Sequence, residues 1–275
     1  GMSLGSLAVT TDITSRTGAS VPLNNVTFVP YCGSRFDSIA YLEEMLNDDH
    51  SGIDKPAAII LETVQAEGGI NVATAEWLRD IRRICTEHDI VMIVDDIQVG
   101  NGRTGTFFSF ERAGIVPDMV VLSKSISGLG LPMSLVLLKP ELDIFKPAEH
   151  NGTFRGNQLA FVGCKAGLEY FVNNNMEKVV AEKEAIITEF IEKEILPLDS
   201  RLSHRGIGLI HGIDFNGIDS KLALEGVHKA FDRNVILEVA GRHDGVLKIM
   251  PPLTVEKEVL IEGLGILKEI ISELV

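Results

Sequence analysis

The feature that most constrains this chain is the rhythm of its first half, where short apolar runs alternate with helical patterns. The runs fall at 26–30, 56–61 and 90–94, and the helical patterns between them at 37–46 and 75–88. Strands separated by a helix cannot pair through a tight turn, so each helix carries the chain back across the sheet and the next strand lies parallel. The pattern therefore predicts an α/β fold with a mostly parallel sheet covered by helices on both faces. In the 75–88 helix, Thr74 is placed to cap the first turn. Trp77, Leu78, Ile81, Ile84 and Cys85 then recur at the spacing of one buried stripe. Further strands are expected at 119–122 and 134–138. They are separated by Ser127, Gly128, Leu129, Gly130, Leu131 and Pro132, a stretch that cannot be helix interior.

Beyond residue 156 the rhythm changes. A long helical region is expected over 157–194, broken near Asn173, Asn174 and Asn175 and ended by Pro197. Strands at 207–215, 235–240 and 246–250, with helices at 220–232 and 255–274, then read as a separate small α/β unit. A boundary between 195 and 203 divides the chain into a large domain, 1–198, and a small C-terminal domain, 199–275. A chain of 275 residues has room for both.

Composition narrows the partners. The chain is 45% hydrophobic, enough for packed cores, and its 25 Lys and Arg against 39 Asp and Glu leave a net charge of −14. That charge works against nucleic acid and anionic membranes and favours small-molecule partners. The longest apolar runs, 133–138 and 90–94, fall far short of the ~20 residues that span a bilayer. No basic-then-apolar leader opens the chain, and Gly1-Met2 reads as a tag scar or a native glycine. Cys32, Cys85 and Cys164 are widely spaced, with no CxxC, and are expected as buried free thiols in a reducing cytoplasm.

In a parallel sheet, ligands bind beyond the carboxyl ends of the strands. Glu62 follows one predicted strand, Asp95 and Asp96 another, and Lys124 follows a third with only Ser123 between. A carboxylate and an amine at neighbouring strand ends suit either a buried ion pair or a pyridoxal phosphate site. In the latter, the lysine forms a Schiff base and the carboxylate keeps the pyridinium nitrogen protonated. Gly100-Asn101-Gly102-Arg103-Thr104-Gly105 spells GxGxxG, but five residues separate it from the preceding strand and Thr106-Phe107-Phe108 opens a helix poorly, so a flexible turn is expected. His150, His204 and His211 lack zinc-ligand spacing and read as surface or structural residues, and no GxSxG elbow is present.

Taken together, Glu62-Thr63-Val64-Gln65-Ala66-Glu67-Gly68-Gly69, Asp95-Asp96-Ile97-Gln98-Val99-Gly100 running into Gly102-Arg103-Thr104-Gly105, Lys124 before its glycine-rich turn, and Thr153 resemble the class III pyridoxal-phosphate aminotransferases. The resemblance implies a fold-type I large domain with a small α/β domain, pyridoxal 5′-phosphate as cofactor, no metal, and a homodimer. By the same resemblance, Lys124 would carry the Schiff base and move the proton, and Asp95 would pair with the ring nitrogen. Gln98 would bond the ring hydroxyl, Val64 would pack on a ring face, and Thr153 would reach the phosphate of the neighbouring subunit. The stretches around Ser123–Gly128 and Glu149–Asn157 are similar to the ectoine-pathway members of the class. These exchange an amino group between glutamate and aspartate 4-semialdehyde, giving 2-oxoglutarate and 2,4-diaminobutyrate. Members acting on 4-aminobutyrate, ornithine or acetylornithine are the alternative, as is a non-catalytic fragment.

Two departures from the family pattern stand out. Glu67 matches a glutamate that in relatives pairs with an arginine before a Pro-Pro-Leu motif, yet here Lys248 precedes Pro251-Pro252-Leu253. A lysine is a point charge without the guanidinium fork. Arg155 is therefore a further candidate for the substrate carboxylate, as is a merely exposed arginine. The family's chains also continue upstream, through a phosphate loop and a ring-stacking aromatic, so the chain is expected to be N-terminally truncated.

Overall fold

The computed structural model describes residues 2–128 and 130–275. Gly1, read above as a tag scar or native glycine, and Leu129 of the glycine-rich stretch lie outside the described residues. Two short helices open the chain, α1 (Leu4–Val9) and α2 (Ile13–Thr17), and Arg16 ties them by donating to the carbonyls of Leu7, Ala8 and Thr10. Residues 26–30, expected as a strand, form none: the segment has no ladder partner among the described residues, and Val29 packs on the first core. Then follow α3 (Ser38–Asn47), β1 (Ala58–Glu62), the two-stranded hairpin β2 (Val64–Gln65) and β3 (Asn71–Val72), α4 (Ala75–Glu87), β4 (Val91–Asp95), β5 (Met119–Leu122) and β6 (Leu135–Leu138). The sheet order is β1-β4-β5-β6, with the first two pairings parallel and the β6 edge antiparallel.

Helix caps decide where these elements begin. Asp37 accepts from the amides of Ile39 and Ala40 to start α3, and the Thr74 hydroxyl accepts from the Trp77 amide at 3.1 Å to start α4. The expected stripe of α4 is buried at Leu78, Ile81, Ile84 and Cys85, which join Met92, Val94, Val120 and Leu122 in one core. Each fully buried aliphatic side chain of this kind contributes about 1.5–3 kcal/mol. Trp77 is only partly buried, and its indole N–H donates to the hydroxyl of the buried Ser38 at 2.7 Å. All three cysteines are free thiols; Cys85 and Cys164 are buried and Cys32 half-buried.

The long helical region is α5 (Gln158–Asn173) and α6 (Met176–Phe190), broken where Asn175 turns left-handed at φ 48° and extended by a wide turn over Ile191–Ile195. The rest is β7 (Ser203–Ile207), β8 (Ile210–Asp214), α7 (Lys221–Asp232), β9 (Glu238–Ala240), β10 (Val246–Ile249) and α8 (Lys257–Leu274). The expected single strand at 207–215 is therefore a hairpin, pivoting on Gly208 at φ +58°. A Cβ there would lie 2.2 Å from the Arg103 carbonyl oxygen, so only glycine fits. The antiparallel order β7-β8-β10-β9 packs on α8 and on Val180 and Ile187 of α6 in a second core. A third, small cluster of Val64, Ala66, Ile70, Val99, Ile210, Ala240 and Val246 lies where the β2–β3 hairpin meets the C-terminal sheet.

Candidate functional site

Because β1, β4 and β5 run parallel, their carboxyl ends emerge on one edge of the sheet, with Glu62, Asp95 and Lys124 following. Glu62 and Asp95 are register partners across β1 and β4. Burial first, and the neighbouring Asp95 charge second, push the Glu62 carboxyl up to about 7, while the Ala66 N–H works the other way. Burial also raises Asp95, opposed by the Ile97 N–H that donates to its Oδ1 at 3.0 Å and by the charge of Lys124. Its other oxygen accepts no hydrogen bond from a described residue.

The adjacent carboxylate has a different task. Asp96 is fully buried and accepts from both the amide and the hydroxyl of Ser109, and burial raises its carboxyl to about 6. Its partners are internal, so Asp96 is structural, and Asp95 is the carboxylate at the strand end with one oxygen that no described residue bonds. Lys124 is exposed and stands in the left-handed region at φ 53°, opening the turn Lys124–Ser127. That conformation costs a residue with a Cβ about 1–2 kcal/mol, a strain of the kind that marks functional positions.

A cleft of about 550 Å³ gathers Lys124, Gln98, Glu67 and Glu238, with Val227, Leu237, Val239 and Met250 as its apolar wall. The Gln98 amide nitrogen donates to Glu67 Oε1 at 2.8 Å, which leaves the Gln98 Oε1 buried without a partner. The same Glu67 oxygen takes a hydrogen bond from Lys248 Nζ at 2.9 Å. On its other side Lys248 meets Glu238 Oε2 at 2.8 Å, its register partner across β9 and β10. The Lys248 side chain is 2% exposed, whereas those of Glu67 and Glu238 are 67% and 68% exposed. Glu67 and Lys248, matched to a paired glutamate and arginine in the family pattern, do meet, and the ammonium is buried under two exposed carboxylates. Burial lowers the Lys248 ammonium, but the bonds and charges of Glu238 and Glu67 outweigh it and leave it raised. For Glu67, burial pushes up and the bonds from Gln98 and Lys248 win, holding it low.

Other expected site residues lie elsewhere. Val64 is 0% exposed within the third cluster and has no surface left for a ligand, whereas Ile97 is half-buried between Asp95 and Gln98. Thr153 and Arg155 are exposed, and the Arg155 guanidinium meets His150 Nε2 at 2.8 Å rather than the cleft. The GxGxxG stretch is a turn, closed by Gly102 N–H to the Phe107 carbonyl and Gly105 N–H to that of Gly102. Its Arg103 donates to the carbonyls of Leu209 and Pro251 and so fastens the two sheets together. His204 and His211 are stacked on each other, with Nε2 and Nδ1 2.9 Å apart, as structural residues of the β7–β8 hairpin. Glu238 escapes sequence reasoning because only the β9–β10 register sets it opposite Lys248.

The geometry can be set beside known proteins. A family model described as aminotransferase class-III matches residues 1–271. The chain is 50% identical over 279 residues to the diaminobutyrate–2-oxoglutarate transaminase of Bordetella parapertussis, covering 99% of this chain and 64% of that protein. It is likewise 50% identical over 277 residues to that of Wolinella succinogenes, again 99% and 64%. It therefore spans just under two thirds of the length of these relatives. Among solved structures, the ornithine aminotransferase of Plasmodium yoelii superposes with a TM-score of 0.77 at 28% identity, covering 86% of this chain and 61% of that one.

Proposed function

Since this chain belongs to the class-III aminotransferase family, we propose that it serves transamination between glutamate and aspartate 4-semialdehyde, yielding 2-oxoglutarate and 2,4-diaminobutyrate, with pyridoxal 5′-phosphate as cofactor. The observation that carries this reading is the meeting of Lys124, at the end of β5, with Gln98 and the Glu67–Lys248 contact in one cleft, beside Asp95 at the end of β4. The names of the relatives from Bordetella parapertussis and Wolinella succinogenes support the choice of substrates.

The residues present fit the cofactor. Asp95 has a carboxylate oxygen that no described residue bonds, available to a ring N–H, and Gln98 Oε1, partnerless among the described residues, suits a ring hydroxyl. Lys124 offers an exposed amine, and Ile97, in place of the sealed Val64, offers apolar surface to a ring face. When bound, the cofactor supplies an electron sink for the carbon that loses its proton. Asp95 keeps that sink effective by holding a proton at the ring nitrogen. To do so it would have to be ionised, and its register partner Glu62, whose carboxyl burial and the Asp95 charge push up to about 7, adds less competing negative charge below that pH. Lys124, whose amine lines the cleft, would serve as the base that takes the substrate's α-proton and as the acid that gives it back. Lys248 meets a substrate carboxylate when Glu67 moves aside. Thr153 and Arg155, on their exposed segment, belong in this reading to the partner's site in a homodimer. The unpacked apolar residues Leu159, Val162 and Val172 of α5 support such an assembly. The proposed location is the cytoplasm; no helix among the described residues is long and apolar enough to cross a membrane.

The test is a pair of half-reactions with the cofactor-loaded protein. Glutamate and 2,4-diaminobutyrate should each bleach the cofactor's visible band, and 2-oxoglutarate should restore it. Reaction with ornithine or 4-aminobutyrate in preference to diaminobutyrate would reassign the substrate, and no spectral change with any amine would end the reading.

A further inference from the structure

Among the described residues, Glu238 is the one charged group lining the cleft that the transamination reading leaves without a task. Lys248 has its ammonium between Glu67 Oε1 at 2.9 Å and Glu238 Oε2 at 2.8 Å, so the three charges sum to −1. An ammonium has three donors and serves both carboxylates at once. Its side chain is 2% exposed beneath two carboxylates that are each about two thirds exposed, so the face presented to the cleft is anionic. Were Glu67 the sole partner, swinging it away would uncover a full positive charge. With Glu238 in place, the same movement uncovers a neutral Lys248–Glu238 pair. The two partners are held differently. Glu67 sits on the loop after β2 and is steadied by Gln98, while Glu238 sits on the edge strand β9, opposite Lys248 in the ladder. The strand partner is thus the fixed one.

We propose that Glu238 is a specificity-determining residue of this cleft: by holding Lys248 from the strand side it keeps the Glu67–Lys248–Glu238 face of the cleft anionic, so that a substrate arm that reaches this face and ends in an ammonium is favoured over one ending in a carboxylate. The proposal rests on the transamination reading for the identity of the substrates, but its charge argument is independent of turnover. A diamino acid then binds against the closed cluster, whereas a dicarboxylate must displace Glu67 and share Lys248 with Glu238. Because Glu238 is exposed and Lys248 keeps Glu67, Glu238→Gln leaves no buried charge unpaired.

Equilibrium binding of two inert probes, glutarate and 1,3-diaminopropane, to the cofactor-loaded protein tests the proposal without requiring any reaction. Glu238→Gln should tighten glutarate and weaken the diamine, each by about fivefold, the scale of one charge a few ångströms away in a water-like medium. Glu238→Asp, which keeps the charge, should preserve the wild-type order of the two probes. A merely structural role would move both affinities the same way. Shifts in the same direction, an unchanged glutarate affinity in Glu238→Gln, or binding of neither probe would overturn the proposal. Half-reactions with glutamate and 2,4-diaminobutyrate, run alongside, separate the two claims. Opposite probe shifts with no amino-group transfer would leave the charge filter standing and remove the transamination reading; transfer without probe shifts would remove the filter alone.

Discussion

At the residue scale, two neighbouring aspartates with the same chemistry are assigned different tasks by their partners. Asp96 is enclosed by Ser109, whereas Asp95 has one oxygen at the strand end that no described residue bonds. Asp96→Asn should therefore lower thermal stability, since a disturbed buried hydrogen-bond partner costs about 1–3 kcal/mol. Asp95→Asn should leave the melting temperature nearly unchanged and reduce the rate of the half-reaction by roughly 100-fold or more, as loss of one preorganised electrostatic partner does elsewhere. Equal melting losses in the two variants would contradict the division. Glu62 carries a pH signature. With its carboxyl raised from 4.5 to about 7, the folded state holds a proton there that the unfolded state releases, so this contribution to stability is full below pH 4.5 and lost as pH rises towards 7. Chemical denaturation across that window should fall less steeply in Glu62→Gln than in the parent; parallel curves would refute the shift. That an acid follows β4 is legible in the sequence, but which of the pair faces outward is not, because Ser109 arrives from a loop with no pattern of its own. Glu238 was equally invisible, since its importance comes from a strand register.

At the scale of elements, structure is legible in the sequence where cap and period agree. Thr74 and the Leu78, Ile81, Ile84 and Cys85 stripe mark α4 to within a residue of its observed bounds, because both signals are local. Thr74→Ala should cost about 1 kcal/mol of stability by leaving the Trp77 amide uncapped, measurable by urea titration. The β7–β8 hairpin was harder: an apolar run punctuated by glycines reads as one strand, and the reason for the turn at Gly208 lies in Arg103, far away in sequence. Residues 26–30 have strand composition but no paired edge, and composition alone makes no ladder.

At the scale of the whole molecule, the two sheets are joined by the third apolar cluster and by polar contacts, Arg103 among them. Its guanidinium serves the Leu209 and Pro251 carbonyls, and burial pulls its pKa down to about 10. Arg103→Met should lower the melting temperature markedly, since each orphaned buried carbonyl costs about 1–3 kcal/mol; an unchanged melt would show that the apolar contacts alone suffice. The central claim, that the cleft is a pyridoxal phosphate site built on Lys124, is tested most directly by chemical trapping. The protein is incubated with pyridoxal 5′-phosphate, reduced with borohydride, digested, and the added mass located by peptide mapping. The account predicts a single modified peptide containing Lys124, absent from Lys124→Ala; an adduct that persists in that variant, or mass scattered over surface lysines with Lys124 unmodified, would contradict it.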